Sequence, residues 1–146
     1  MFRKLLGAAS GAALVLSIAT IGLGTASATS TVACKSLKGT ISGNTTVSGC
    51  TPANSQYKSA TAKSSVVANG GATKWAPSGK TTIIAKPTAT QVTPNKCPVG
   101  STEYKVTSKV TGGTATYTKK GDAVSGLICL SGTGSISLLP GTTFKI

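Results

Sequence analysis

The chain has 146 residues, a formal net charge of +13 and no histidine. Its only side-chain acids are Glu103 and Asp122. General acid–base catalysis, metal ligation and phosphoryl transfer draw on histidines, paired carboxylates or free thiolates. A serine or threonine activated by a lysine is the one alternative. In a chain with many lysines and many hydroxyl residues, however, such pairs are expected to lie close together by chance. We therefore expect a protein that is not an enzyme and that has no metal site and no cofactor.

The amino-terminal segment has the three parts of an export signal. Arg3 and Lys4 supply positive charge, an uncharged run extends from Leu5 to Leu23, and Ala26-Ser27-Ala28 matches the pattern that signal peptidase requires. We expect residues 1–28 to be a signal peptide and residues 29–146 to form a single secreted, extracellular domain. The alternative is an uncleaved membrane anchor, because about 20 weakly apolar residues are just long enough to span a bilayer.

The charge of the secreted part comes from lysine alone. Thirteen lysines stand against two acids, which gives +11, and only Lys119 and Lys120 are adjacent. A nucleic-acid reader is expected to cluster its charge and to use arginine, so we expect no nucleic-acid partner. Dispersed lysines indicate a soluble surface that protects strand edges. The alternative is attraction to an anionic envelope polymer or lipid surface.

Four cysteines, Cys34, Cys50, Cys97 and Cys129, lie in the exported part. An even number in an oxidising compartment predicts two disulfides, whereas the absence of close cysteine pairs and of histidine argues against zinc. Three pairings are open. We expect Cys34 to pair with Cys50 and Cys97 with Cys129, because short loops are the easiest to close.

The secondary structure is expected to be all β, because serine, threonine, glycine and proline interrupt the chain every few residues. Strands are predicted at Ser64–Ala68, Ala72–Ala76 and Lys80–Lys86. The segment from Pro87 to Pro98 contains three prolines and is predicted to be a linker between two halves.

The clearest strand is predicted from Thr102 to Val110. Its residues alternate, with one face formed by Tyr104, Val106, Ser108 and Val110 and the other by Glu103, Lys105, Thr107 and Lys109. A hairpin at Gly112-Gly113 is expected to lead into residues 114–118. Further strands are predicted at Ala123–Leu130, where Gly126 would mark a bulge, and at Ser135–Leu139.

Two segments of the chain echo each other in spacing. Cys50 and Cys97 are each followed seven residues later by Tyr-Lys, then by a glycine pair, an aromatic residue and another glycine. Two related hairpins predict a disulfide-stapled antiparallel sandwich with pseudo-two-fold symmetry. A small closed β-barrel is the alternative.

Several motifs carry a resemblance. The GCTP at residues 49–52, the SGKTT at 78–82, the CPVGSTEY at 97–104 and the closing PGT at 140–142 resemble a group of small exported actinobacterial proteins of unknown function. That resemblance implies an exported location and transfers no site. In size and composition the chain is also similar to the enediyne-carrier apoproteins of the neocarzinostatin type, although its cysteine spacings and its basic charge differ from theirs.

The expected role is a structural or interaction role at the cell envelope or in the medium. The alternative is a binding module for a glycan, an anionic cell-wall polymer or a small apolar ligand. Candidate ligand contacts are Trp75, Tyr57 and Tyr117, whose rings can stack on sugars, together with Lys58 and Lys105. Core packing is the competing expectation for the large aromatic rings of the chain. It applies above all to Trp75 and Tyr104, which occur in strand patterns. The sequence does not indicate an oligomeric state.

The charge pattern yields a prediction about surface attraction. Because the chain has no histidine, its charge should change little between about pH 5 and pH 8. Any binding to an anionic polymer should therefore be flat over that range and should fall steeply between about 50 mM and 500 mM salt. Titration calorimetry across pH and salt measures both dependences. Salt-resistant binding would contradict an electrostatic origin.

Overall fold

The computed structural model describes residues 32–52 and 55–146. The expected signal peptide, residues 1–28, lies outside these residues, as does the alternative membrane anchor. Within the described part, no helix has the length and apolarity that are needed to cross a membrane.

The described residues form ten strands and one short helix. The first half contains β1 (Ala33–Thr40), β2 (Thr45–Thr51), β3 (Tyr57–Ala62), α1 (Ser64–Asn69), β4 (Gly71–Pro77) and β5 (Thr81–Ile84). The second half contains β6 (Thr88–Gln91), β7 (Ser101–Gly113), β8 (Ala123–Ser131), β9 (Ser135–Leu138) and β10 (Phe144–Lys145).

Eight of these strands close into an antiparallel barrel in the order β1-β2-β3-β4-β5-β7-β8-β9. The ring is completed by β9, which pairs with β8 on one side and with β1 on the other. The all-β, disulfide-stapled class is thus confirmed, and its architecture is the small barrel, the alternative to the sandwich. Closure satisfies the backbone groups that the edges of an open sheet would expose.

Two positions in the wall are each filled by a pair of short strands. β5 and β6 lie end to end along one edge of β7, and β9 and β10 lie end to end between β1 and β8. Each break contains a proline, Pro87 in the first and Pro140 in the second. Proline has no backbone N–H to donate to a ladder, so a strand ends at or near it.

The alternation predicted for β7 is confirmed. Tyr104, Val106 and Ser108 line the barrel interior and Val110 is buried, whereas Lys105, Thr107 and Lys109 are exposed. Glu103 is the exception on the outer face, since it is only 1% exposed.

Glu103 is covered by residues 92–98, which we call the strap. The Lys96 backbone N–H donates to Glu103 Oε2 at 2.8 Å, and Cys97 is disulfide-bonded to Cys129 in β8. The prediction that the segment from Pro87 to Pro98 links two halves is therefore wrong. Its first residues form β6 along β7, and the remainder is fastened to the outside of the wall by a carboxylate and a disulfide.

Three local predictions were wrong. Residues 64–69 form α1 instead of a strand, because Val66 and Val67 on successive positions both pack inward towards the core. The helix ends at Gly70, which has a φ of 79° and no room for a Cβ beside the Ala85 backbone.

Residues 114–118 are not a strand, since the backbone N–H groups of Thr114 and Ala115 both donate to the Thr81 carbonyl. Gly126 is not a bulge, because its register with Val106 is regular; the Phe144 ring occupies the place of its missing side chain.

The spacing echo does not correspond to repeated structure. Gly70 follows α1 and Gly71 begins β4, whereas Gly112-Gly113 ends β7. Trp75 lies in a strand and Tyr117 lies in a loop. The pseudo-two-fold arrangement is therefore absent from the described residues.

Both disulfides are as predicted. Cys34 pairs with Cys50 directly across β1 and β2, and Cys97 pairs with Cys129. Two disulfides are consistent with an oxidising compartment.

Removal of the strap disulfide should destabilise the barrel without dismantling it. The Cys97→Ala, Cys129→Ala double variant frees a loop with a sequence separation of 32 residues, which should lower the free energy of unfolding by about 2–5 kcal/mol. Denaturant unfolding measures the loss, and far-ultraviolet circular dichroism should retain its β signal. An unchanged free energy of unfolding would contradict a stabilising role for this bridge.

Candidate functional site

Three aromatic rings form one cluster in the barrel. The Tyr57 ring meets the Trp75 ring edge to face, with 5.5 Å between centroids and 68° between planes. It meets the Tyr117 ring in the same manner at 5.1 Å and 83°. Trp75 is 1% exposed and Tyr57 is 6% exposed, so both are core residues, and Tyr117 packs against them.

The polar atoms of Trp75 and Tyr57 are paired. Trp75 Nε1 donates to Thr82 Oγ1 at 2.8 Å, and the Thr82 and Thr118 hydroxyls lie 2.7 Å apart. The Tyr57 hydroxyl donates to Thr116 Oγ1 at 3.2 Å and accepts the Thr116 backbone N–H at 3.1 Å. The Thr116 hydroxyl, then its backbone N–H, and then the charge of Lys80 lower the pKa of Tyr57 against the opposing effect of burial.

The candidate contacts chosen from the sequence are therefore divided between two environments. The structure brings Tyr57, Trp75 and Tyr117 together inside the barrel. Lys58 and Lys105 are both exposed, each on a strand position that faces away from the interior. The five side chains thus share no common face.

A separate apolar cavity of about 240 Å³ lies in the interior of the barrel. Most of its lining is aliphatic and comes from every strand of the barrel wall and from α1. β1 to β3 supply Leu37, Thr45, Val47, Ala60 and Ala62; α1 supplies Val66 and Val67; β7 and β8 supply Tyr104, Val106, Ser108, Val124, Ile128 and Leu130. Thr73 and Ile84 complete the wall on β4 and β5, Ile136 lines the cavity from β9, and Phe144 and Ile146 line it beside the carboxyl terminus.

The lining contains no charged side chain. Its polar members are the hydroxyl residues Thr45, Thr73, Tyr104 and Ser108. The Ser108 hydroxyl is already committed to the Ala85 carbonyl at 2.7 Å. A cavity of this kind can hold an apolar molecule and offers few groups for proton transfer.

Small side chains leave the space open. Ala60 and Ala62 face the interior from β3, at positions where larger residues would fill it. An eight-stranded barrel is just wide enough either for its own side chains or for one small ligand, so the sizes of the inward residues decide between these outcomes. The aromatic cluster fills one part of this barrel, and the alanines leave the other part unfilled.

The cavity reaches the surface beside the β1–β2 turn. Ile41 in this turn lines the cavity and is 55% exposed, and Ala89 on β6 is also both lining and exposed. The helix α1 lies at the same end, since it connects the end of β3 to the start of β4. A ligand would therefore enter between the turn, β6 and α1.

Sequence reasoning missed most of this cavity. It did identify the inward face of β7, which supplies three lining residues. The alanines, the helix valines and the carboxyl-terminal residues gave no periodic signal that joined them to that face.

No protein-family model, no curated protein and no solved structure matches this chain. We therefore infer the chemistry of the cavity from its lining, its size and its position in the barrel.

The buried hydroxyl network predicts that Thr82 stabilises the aromatic cluster. Thr82→Val would leave the Trp75 N–H and the Thr118 hydroxyl without their partner, which should lower the free energy of unfolding by about 1–3 kcal/mol. Denaturant unfolding, followed through the fluorescence of the single tryptophan, measures this loss. Thr90→Val on the exposed strand β6 is the matched control and should change stability by less than about 0.5 kcal/mol. Equal effects of the two substitutions would show that the network is not stabilising.

Proposed function

We propose that this protein is a secreted, non-enzymatic binding protein that holds one small apolar molecule inside its β-barrel. The observation that carries the proposal is the cavity of about 240 Å³, whose lining is apolar apart from four hydroxyl residues and contains no charge. Ligand sites are typically concave, mostly apolar and supplied with a few polar groups that fix orientation. An eight-stranded barrel is one of the folds that present such a site.

The volume sets the size of the ligand. An apolar cavity of about 150 Å³ binds benzene, which has six non-hydrogen atoms. By the same ratio, 240 Å³ suits a molecule of about ten non-hydrogen atoms. A disaccharide or a polymer segment is too large and too polar for this interior, so the cavity favours the small apolar ligand among the binding alternatives.

The rest of the molecule supports a role outside the cell. The two disulfides suit an oxidising compartment, and the amino-terminal residues have the pattern of an export signal. The proposed role is to carry or sequester an apolar molecule in the medium or at the envelope.

A second candidate function concerns the surface. All thirteen lysines of the secreted part are exposed, which supports attraction to an anionic envelope polymer, glycan or lipid surface through charge alone. This interaction does not require the cavity, and the two functions are compatible in one molecule.

Filling the cavity tests the proposed function. Ala62→Phe places a ring into the cavity from β3 and should weaken the binding of 2-methylnaphthalene, an apolar molecule of eleven non-hydrogen atoms, at least tenfold. The thermal midpoint of the ligand-free variant should hold or rise, because an aromatic side chain replaces empty volume. Isothermal titration calorimetry measures the affinity, and thermal unfolding checks the fold.

Ala72→Phe is the matched control, because Ala72 is exposed on β4. It should leave the affinity within about twofold of the unmodified protein. If Ala62→Phe fails to fold, Ala62→Leu makes the same test with a smaller group. Failure of the unmodified protein to bind 2-methylnaphthalene or a saturated hydrocarbon of similar size would overturn the proposal and leave the structural or surface role.

A further inference from the structure

One lining residue carries a buried hydroxyl that has no partner. Thr45 is 8% exposed, lines the apolar cavity, and stands at the first position of β2. Its Oγ1 atom has no hydrogen-bond partner among the described residues. Among the buried side-chain polar atoms of residues 32–52 and 55–146, it is the one in this condition.

The geometry around Thr45 explains why its hydroxyl lies inside. Thr45 pairs with Gly39 on β1 and with Ala62 on β3, so small residues flank it on both neighbouring strands. A Cβ at position 39 would lie 2.7 Å from Thr45 Oγ1, so the absence of a side chain on Gly39 makes room for the hydroxyl. The next residue, Thr46, faces outward and is hydrogen-bonded to the Thr61 hydroxyl at 3.1 Å.

Two other interior hydroxyl groups have partners within the protein. Ser108 donates to the Ala85 carbonyl, and Thr82 joins Trp75 to Thr118. A buried hydroxyl without a partner loses its hydration and gains nothing in return, whereas valine at the same position would fill nearly the same volume without that cost. An uncompensated hydroxyl in an apolar ligand cavity is the arrangement expected of a group that orients the ligand.

We propose that Thr45 Oγ1 is the polar contact of the bound molecule, and that this molecule is an uncharged apolar compound with one hydrogen-bonding oxygen. This inference rests on the proposed function and specifies its ligand class: an alcohol, phenol or ketone of about ten non-hydrogen atoms. The oxygen is uncharged, because the cavity lining contains no charged group that would compensate the burial of an ion. A hydroxyl serves this class well, since it can both donate and accept.

A matched pair of probes separates this inference from the proposed function. 2-Naphthol and 2-methylnaphthalene have nearly the same shape and differ in whether the substituent is a hydroxyl or a methyl group. In Thr45→Val, the Kd of 2-naphthol should rise about fivefold, which corresponds to one lost hydrogen bond, while the Kd of 2-methylnaphthalene should stay within about twofold. The ligand-free variant should melt at a higher temperature than the unmodified protein, because the unpaired hydroxyl is removed.

Three further substitutions serve as controls. Thr46→Val removes a hydroxyl from the outer face of the same strand and should leave the ratio of the two Kd values unchanged. Thr45→Ser and Thr45→Ala differ by one oxygen atom. The serine variant should retain the naphthol preference that the alanine variant loses, and this comparison still decides the question if Thr45→Val does not fold.

The outcomes are distinguishable. If both compounds bind but Thr45 substitutions leave the ratio of Kd values unchanged, the role of Thr45 is overturned and the binding function stands. If Thr73→Val shifts the ratio while Thr45→Val does not, the polar contact belongs to Thr73 and the assignment is overturned. If neither compound binds the unmodified protein, the proposed function and the inference that rests on it both fail.

Discussion

Closure of the sheet between β8 and β1 is the constraint on which the rest of the structure depends. The short strands β9 and β10 fill that gap end to end, and their ladders turn a row of strands into a ring. A ring separates an inner surface from an outer one, so alternation along each strand becomes a division between interior and solvent. The thirteen lysines of the described residues all lie on the solvent side, and the cavity lining contains none.

The interior is divided between packing and empty space. The rings of Tyr57, Trp75 and Tyr117 fill one part, and the polar atoms of Tyr57 and Trp75 bond to threonines of the surrounding wall and loop. Alanines on β3 leave the other part open. With only 4% aromatic residues, the chain supplies enough rings for one compact cluster and leaves the rest of this space unfilled. The hydroxyls of Tyr57 and Thr82, in and beside the aromatic cluster, have hydrogen-bond partners. The hydroxyl of Thr45, which lines the open part, has none among the described residues.

The cross-links hold the walls of the cavity in place. One disulfide joins β1 to β2, which carry Leu37, Thr45 and Val47, and the other fastens the strap over β8. A cavity with a fixed wall binds without a large ordering cost, since its shape is present before the ligand arrives.

Local sequence patterns determined the all-β class, the inward face of β7 and, through short loop lengths, both disulfides. They failed at α1, the strap and Gly126, where contacts between distant segments outweigh local propensity. The cavity was beyond prediction for the same reason. Ala62, Val66, Ile128 and Ile146 meet only because closure brings their strands, helix and terminus around one space, and the missing partner of the Thr45 hydroxyl is a property of that space alone. Periodicity encodes which side a residue faces, whereas long-range pairing decides what that side encloses.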